Sequence, residues 1–106
     1  MTALTAYIVC GSQDEAETIG AALVEDRLAA CVNILAPCHS IYRWEGKVET
    51  GREFPMLAKT TQEQADALIM RVTELHSYEN PAITLWPIER LPAAYGDWIE
   101  AQTGKK

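Results

Sequence analysis

Residues 29–60 read AACVNILAPCHSIYRWEGKVETGREFPMLAKT, and this stretch decides the fold. Two long extended segments flank Trp44–Lys47, whose glycine supplies a residue that turns at little cost. The first arm is rich in Val, Ile, Tyr and Trp, which fit a pleated surface. Each arm exceeds the usual strand length of about five or six residues. We expect a β-hairpin that outgrows the sheet of a small domain, so that another copy of the chain pairs with its excess backbone.

The residues before the hairpin predict a strand followed by a helix. Residues 3–10 alternate and are expected to form a strand, which Gly11 ends. Ser12 and Glu15 have the spacing of a capping box and start a helix that ends near Arg27.

The residues after the hairpin predict a second helix, a strand and a last short helix. Thr61–Gln64 is a second capping box, and apolar residues at helical spacing continue to Leu75. A loop covers 76–81, because Pro81 favours extended geometry before it, and a strand covers 82–88. Pro92 opens a helix whose apolar face is expected to hold Tyr95, Trp98 and Ile99.

This order, β-α-β-β-α-β plus a terminal helix, predicts an α+β fold of the ferredoxin-like type with strand order 4-1-3-2. Pro37 and Pro55 cannot donate to a sheet, so each is expected at a bend, a bulge or an edge. The topology brings the end of the first strand, the start of the first helix and the loop before the last strand to one end of the sheet. Five residues are expected to gather there: Cys10, Ser12, His76, Tyr78 and Glu79.

Length, charge and hydrophobic runs limit the classes of function that this chain can have. A chain of 106 residues predicts a single domain, residues 1–106. The formal charge of −6 argues against a nucleic-acid binder and against an anionic membrane surface. The N-terminus has no basic region before its apolar run, and no run approaches the roughly 20 residues that span a bilayer. We therefore expect a cytoplasmic protein.

Three cysteines at irregular spacing predict free thiols rather than a disulfide framework or a zinc site. Cys10 precedes a helix N-terminus, where a thiolate is favoured, but it also suits a small buried residue. Cys31 lies among apolar residues and is expected in the core. Cys38 and His39 are adjacent on a strand, so their side chains point to opposite faces and chelate poorly within one chain, and a site shared between copies across a trimer axis stays open as the alternative.

Several blocks together resemble the CutA divalent-cation tolerance family. They are AACVNI at 29–34, SIYRWEGK at 40–47, KTT at 59–61 and HSYENP at 76–81, in order and at the family's spacings. The resemblance implies a homotrimer with a ferredoxin-like protomer, similar in architecture to the PII signalling trimers. It also implies a role in tolerance of copper or other divalent metal ions.

The resemblance implies metal ligands at Cys10 and His76. Some members carry a second histidine where this chain has Leu75, and the usual proline of the loop is Ser77 here. One thiol and one imidazole are an incomplete shell for copper, so Glu79, a water or a neighbouring chain would complete it. The alternative for His76 is a structural role at the C-terminus of a helix.

A second candidate site is an inter-subunit cleft with Trp44, Lys59, Tyr78 and Glu79. Lys59 is expected on a strand buried at a subunit boundary, where its ammonium needs a carboxylate such as Glu79. In the family, matching residues line clefts between protomers. Four aromatic residues could form a platform for a ligand, but we expect them to anchor the interface between copies: Tyr42, Trp44, Trp86 and Trp98.

No nucleophile elbow, P-loop or zinc-protease motif occurs in the sequence, so we expect a binding protein rather than an enzyme. Three functions stay open. The first is a homotrimer that binds copper or another divalent metal. The second is a PII-like sensor that binds a small anion between subunits through Lys59, Tyr78 and backbone amides near Ser12. The third is a structural trimer that anchors a protein partner.

Overall fold

The structure, a computed structural model, describes residues 2–105. Its elements follow the predicted order, except that the first hairpin arm is divided into two strands. The elements are β1 (Ala3–Cys10), α1 (Gln13–Glu25), β2 (Cys31–Ile34), β3 (Cys38–Trp44), β4 (Lys47–Thr61), a 3-10 turn (Gln62–Gln64), α2 (Ala65–Leu75), β5 (Ile83–Pro87) and α3 (Ala93–Gln102).

The strands form an antiparallel sheet in the order β2-β4-β1-β5, and β3 continues the first hairpin arm alongside β4. Because β2 and β3 together make the predicted second strand, this is the predicted order, and the ferredoxin-like fold is confirmed. β1 lies at the centre and pairs with β4 from Ala3↔Thr61 to Cys10↔Phe54. The last strand is shorter than predicted, but Ala82 O still accepts a hydrogen bond from Val9 N at 3.2 Å.

The hairpin is as long as the sequence predicts. Near its two prolines, the pairing of β4 passes from β2 to β3. β2 pairing with β4 ends at Ile34↔Met56, and β3 pairing begins at Cys38↔Glu53. Pro37 lies in the break between β2 and β3, and Pro55 lies in β4 opposite it. A proline costs nothing at such a junction, because no neighbouring strand requires its missing N–H.

The turn at the hairpin tip needs two residues with positive φ. Glu45 has a φ of 49° and Gly46 a φ of 80°, which is the pattern of a type I′ turn. This turn matches the right-handed twist of the strands, so it fixes the register from Trp44↔Lys47 back to the sheet.

The two predicted capping boxes differ in outcome. Glu15 N donates to Ser12 Oγ at 3.1 Å and starts α1, but the Glu15 carboxylate turns to Gly11 N instead of Ser12 N. The second capping box is wrong. Thr61 still belongs to β4 and its side chain is buried, so it makes no capping bond and the chain enters a 3-10 turn before α2.

The main core lies between the sheet and the helices α1 and α2. Its largest members include Ile8 of β1, Ile19 and Leu23 of α1, Met56 of β4 and Leu68 of α2. Alternation along β1 and β4 places every second side chain in this core. The helices therefore cover one face of the sheet.

The opposite face is covered only in part, by α3. Ile99 is buried against Ala3 and Ala30, whereas Trp98 is 42 % exposed and stacks on Tyr95. The prediction that Trp98 shares the apolar face with Ile99 is therefore only partly met. Cys31 is half-buried rather than in the core, because its sulfur lies at the α3 edge, 3.6 Å from the Tyr95 hydroxyl. No helix within residues 2–105 combines the length and the apolar character that crossing a bilayer requires.

Candidate functional site

Three side chains that can bind a metal converge where β1 ends. A thiol, a carboxylate and an imidazole, from Cys10, Glu15 and His76, offer ligand atoms that all lie within 4.8 Å of one another. We call these three residues the Cys10 cluster. The sheet topology brings Cys10 and His76 together, as the sequence predicts, while the carboxylate beside them belongs to Glu15 and not to Glu79.

His76 is held on both ring nitrogens. Nε2 donates to Val9 O at 2.7 Å, and Nδ1 accepts a hydrogen bond from Tyr78 N at 3.0 Å. This network places a proton on Nε2 and leaves Nδ1 as the acceptor. The imidazole is fully buried and ties the end of α2 to the end of β1. The geometry thus gives His76 a structural role, and Nδ1, at 3.8 Å from Glu15 Oε1, is the nitrogen that faces the carboxylate.

Glu15 links three parts of the chain. Its carboxylate accepts hydrogen bonds from Gly11 N at 2.8 Å and from Ser77 N at 2.6 Å, and it faces His76. Burial acts to raise the pKa of this carboxyl, but the hydrogen bonds from Gly11 and Ser77 outweigh it and hold the pKa below its usual value. Glu15 is therefore an anion at neutral pH, ready to meet a cation.

The Cys10 thiol is buried at the end of β1 and belongs to the main core. Burial, and then the Glu15 carboxylate, raise the pKa of Cys10 to about 12. Of the two alternatives for Cys10, the structure supports the small buried residue rather than a thiolate favoured by the helix dipole, because burial and the Glu15 charge both favour the neutral thiol. Cys10 is a neutral thiol unless a metal replaces its proton.

The chemistry of the Cys10 cluster fits a transition-metal ion. Thiolate, imidazole and carboxylate are the ligand types that proteins offer to copper and zinc. For the three residues to bind one metal ion, Cys10 would lose its proton, and Nδ1 of His76 would exchange its Tyr78 N–H partner for the ion. Both changes would take place within the cluster and at the Tyr78 N–H beside it.

We expect the Glu15 carboxylate to stabilise the folded state at neutral pH but not in acid. Because its pKa is lowered by folding, this contribution is complete above the ordinary value of 4.5 and is lost as the pH falls through the folded-state value. Glu15→Gln should lower the free energy of unfolding by about 1–3 kcal/mol at pH 7, since an amide cannot accept from both N–H groups. Urea unfolding at several pH values measures this, with exposed Glu17→Gln as the matched control. An equal loss at pH 7 and pH 3 would contradict it.

A cleft of about 570 Å³ lies next to the cluster, between the hairpin and the loop before β5. Trp44, Tyr78 and Glu79 line it, together with Glu53. Lys59 does not line it, because the register places Lys59 opposite Thr5, far along β1 from Cys10. Within one protomer, the structure therefore brings together three of the four residues of the predicted inter-subunit cleft.

Tyr78 joins the cleft to the Cys10 cluster. Its hydroxyl donates to Glu53 Oε2 at 2.8 Å, its backbone N–H donates to His76, and its ring contacts the His76 ring. Burial, and then the bond to Glu53, raise the pKa of Tyr78. Gly11 makes room for this ring, since a Cβ there would lie 3.1 Å from the Tyr78 hydroxyl.

The other predicted site residues lie away from both the Cys10 cluster and the cleft. Cys38 is half-buried with its sulfur 3.6 Å from Ser40 Oγ, and His39 is exposed on the opposite side of β3, beside Arg52. The four aromatic side chains predicted at an interface are between 42 % and 51 % exposed: Tyr42, Trp44, Trp86 and Trp98.

Comparisons with known proteins agree with this fold. Residues 4–102 match the family model described as CutA1 divalent ion tolerance protein. The divalent-cation tolerance protein CutA of Thermus thermophilus is 45 % identical over 97 residues, which cover 92 % of this chain and 94 % of that protein. The CutA protein of Archaeoglobus fulgidus is 45 % identical over 94 residues, which cover 89 % of this chain and 91 % of that one.

Solved structures show the same architecture. The T. thermophilus protein superposes with a TM-score of 0.94 at 43 % identity, covering 96 % of this chain and 99 % of its own. CutA1 from Oryza sativa superposes with a TM-score of 0.95 at 29 % identity, covering 100 % of this chain and 97 % of its own. With the matching family model and these relatives, the chain belongs to the CutA1 divalent ion tolerance family.

Proposed function

We propose that this protein is a homotrimer that binds divalent metal ions, copper first among them, at Cys10, Glu15 and His76, and so contributes to metal tolerance. The observation that carries the proposal is the convergence of three different ligand types within 4.8 Å at one end of the sheet. Membership of a family described by divalent-cation tolerance supports it. The proposal is of a binding protein and includes no catalysed reaction.

A titration with copper, in competition with a chelator of known affinity, tests the site. Cu(I) is added without oxygen, so that Cys10 is not oxidised, and Cu(II) is added separately. We expect one ion per chain, and the loss of at least about 100-fold in affinity in Cys10→Ala, because a ligand is removed.

The chain offers matched controls for this titration. Cys38→Ala and His39→Asn remove the same chemical groups outside the cluster and should leave the affinity unchanged. His76→Asn keeps a polar side chain at the buried position and should weaken binding, with folding checked by circular dichroism. Unchanged copper binding in both Cys10→Ala and His76→Asn would sink the metal proposal.

The shape of the chain supports assembly. Its radius of gyration is 14.3 Å, above the roughly 13 Å of a compact domain of this length, and its longest extent is 45 Å. Apolar side chains on the projecting hairpin are exposed, with Ile41 at 68 % and Val48 at 63 %. We propose that a trimer covers them, and light scattering should then give about three times 11.8 kDa.

Ile41→Lys should weaken the trimer, because burying an unpaired ammonium in an apolar contact is costly. Sedimentation at decreasing concentrations should show dissociation at a concentration at least about tenfold higher than for the wild type. Gln62→Lys adds the same charge at an exposed position away from the hairpin and is the control. An unchanged association constant in Ile41→Lys would contradict this interface.

The alternative of an anion sensor finds less support in the cleft. Glu53 and Glu79 line it, and none of its lining residues within the described part of the chain is a lysine, an arginine or a histidine. The Gly11 N–H at the start of α1, which could bind an anion, is already occupied by Glu15. Thermal shifts with nucleotides or carboxylates, but not with metals, would favour the sensor; a response to neither would favour a trimer that anchors a protein partner.

We also propose a cytoplasmic location, on the ground that all three cysteines are free thiols. The solved relative from A. fulgidus is described as a periplasmic protein. Fractionation of cells that express the native chain distinguishes the two compartments.

A further inference from the structure

One residue, Tyr78, connects the Cys10 cluster to the base of the hairpin. Its backbone N–H donates to Nδ1 of His76 at 3.0 Å, and its hydroxyl donates to Glu53 Oε2 at 2.8 Å. Glu53 lies opposite Cys38, where β3 begins to pair with β4, so it belongs to the base of the projecting hairpin. Both bonds are made within a single chain.

The Tyr78 N–H occupies the nitrogen that a metal ion at the cluster would need. Nδ1 of His76 faces Glu15 at 3.8 Å, whereas Nε2 is bonded to Val9 O. The acceptor nitrogen of an imidazole has one lone pair, so Nδ1 serves either the Tyr78 N–H or an ion. We propose that Tyr78 is a latch that keeps the metal site closed until its N–H leaves Nδ1. This inference rests on the proposed metal site at the Cys10 cluster.

Three contacts hold Tyr78 in the closed position. The bond to Glu53 fixes the end of the side chain, and the ring packs on the His76 ring with the centroids 4.7 Å apart. Gly11 makes room for the ring, since a Cβ there would lie 3.1 Å from the Tyr78 hydroxyl oxygen. The apparent affinity for an ion is reduced by the fraction of chains in which the latch is open, because the closed form offers no free Nδ1.

The latch selects among metal ions. An ion opens it only by gaining more from the imidazole nitrogen than the chain loses with the Tyr78 bond. Copper and zinc bind imidazole well, whereas magnesium and calcium prefer oxygen ligands. Magnesium and calcium should therefore leave the latch closed, although the Glu15 carboxylate beside it is ionised.

Tyr78→Phe tests the latch on the assembled protein, because phenylalanine keeps the ring and removes the bond to Glu53. We expect Cu(I) to bind this variant about three- to tenfold more tightly than the wild type, in anaerobic competition with a chelator, since opening costs less. Without metal, the same variant should unfold at a lower urea concentration. A residue with only a structural role would lose stability without gaining affinity.

Two further variants complete this test. Glu53→Ala removes the acceptor of the Tyr78 hydroxyl and should also raise the Cu(I) affinity. Tyr7→Phe is the matched control, because Tyr7 lies on the other face of the sheet, against Trp86, and should leave the Cu(I) affinity unchanged. An unchanged or weaker affinity in both Tyr78→Phe and Glu53→Ala would overturn the latch.

Hydrogen exchange of the Tyr78 amide, followed by NMR, observes the latch directly. The amide should be protected in the metal-free protein and in the presence of Mg²⁺, and should exchange faster when Cu(I) is bound. Protection that persists with Cu(I) bound would show that the ion leaves the Tyr78 bond to Nδ1 intact, and the latch would then be rejected.

The latch and the metal site fail in different ways. A wild-type protein that binds no Cu(I) would reject the metal site and the latch together. Cu(I) binding that is lost in Cys10→Ala but is not raised in Tyr78→Phe or Glu53→Ala would reject the latch alone and keep the metal site.

Discussion

Replacing His76 with alanine should lower the free energy of unfolding by about 3–4 kcal/mol. The imidazole is fully buried, and both of its nitrogens are bonded to the backbone, at Val9 O and Tyr78 N. Alanine would leave a buried carbonyl and a partly buried N–H without partners, at a cost of about 1–3 kcal/mol for the buried group and less for the other, and would open a cavity beside the Tyr78 ring.

His39 makes this measurement well controlled, because it is the only other histidine and its side chain is exposed. His39→Ala should change the unfolding free energy by less than about 0.5 kcal/mol. Urea unfolding of both variants gives the difference between their unfolding free energies. Both are measured at the same protein concentration, because the stability of an assembled protein depends on concentration. A loss below about 1 kcal/mol in His76→Ala would show that solvent replaces the two bonds and that the ring does not join β1 to α2.

Most of the fold could be predicted because its signals are local. Alternation in residues 3–10, the Ser12 cap, and the hairpin with Gly46 each appear in the structure where the sequence places them. Pro37 and Pro55 predict an irregularity in the hairpin, and the break between β2 and β3 lies there, but the sequence does not predict that the first arm divides into two strands, because that depends on how each part pairs with β4. Leu35 N, for example, donates to Pro55 O across the junction.

The Cys10 cluster could be predicted in part, because topology alone brings Cys10 and His76 to one end of the sheet. The local pattern assigns Glu15 to a capping box with Ser12, and its contact with Ser77, 62 residues away in the chain, leaves no local signal. The pKa of Cys10 could not be predicted from the sequence either, since it depends on burial and on that carboxylate.

The copper affinity should rise steeply with pH if Cys10 is a ligand. The thiol, with a pKa of about 12, is protonated throughout the neutral range, so each bound ion releases one proton. Glu15 is already ionised, and the Nδ1 atom of His76 that would face the ion accepts the Tyr78 N–H and carries no proton, so we expect the released proton to come from Cys10. The apparent dissociation constant for Cu(I) should therefore fall about tenfold for each pH unit, or about 100-fold from pH 6 to pH 8.

Competition with a chelator whose own protonation is known measures this slope, under anaerobic conditions so that the thiol stays reduced. Cys10→Ala should bind more weakly and lose the slope, whereas Cys38→Ala should keep both the affinity and the slope. A flat profile in the wild type would show that the ion is held without the Cys10 thiolate. The same slope in Cys10→Ala would assign the released proton to another group, and either result would remove Cys10 from the metal site.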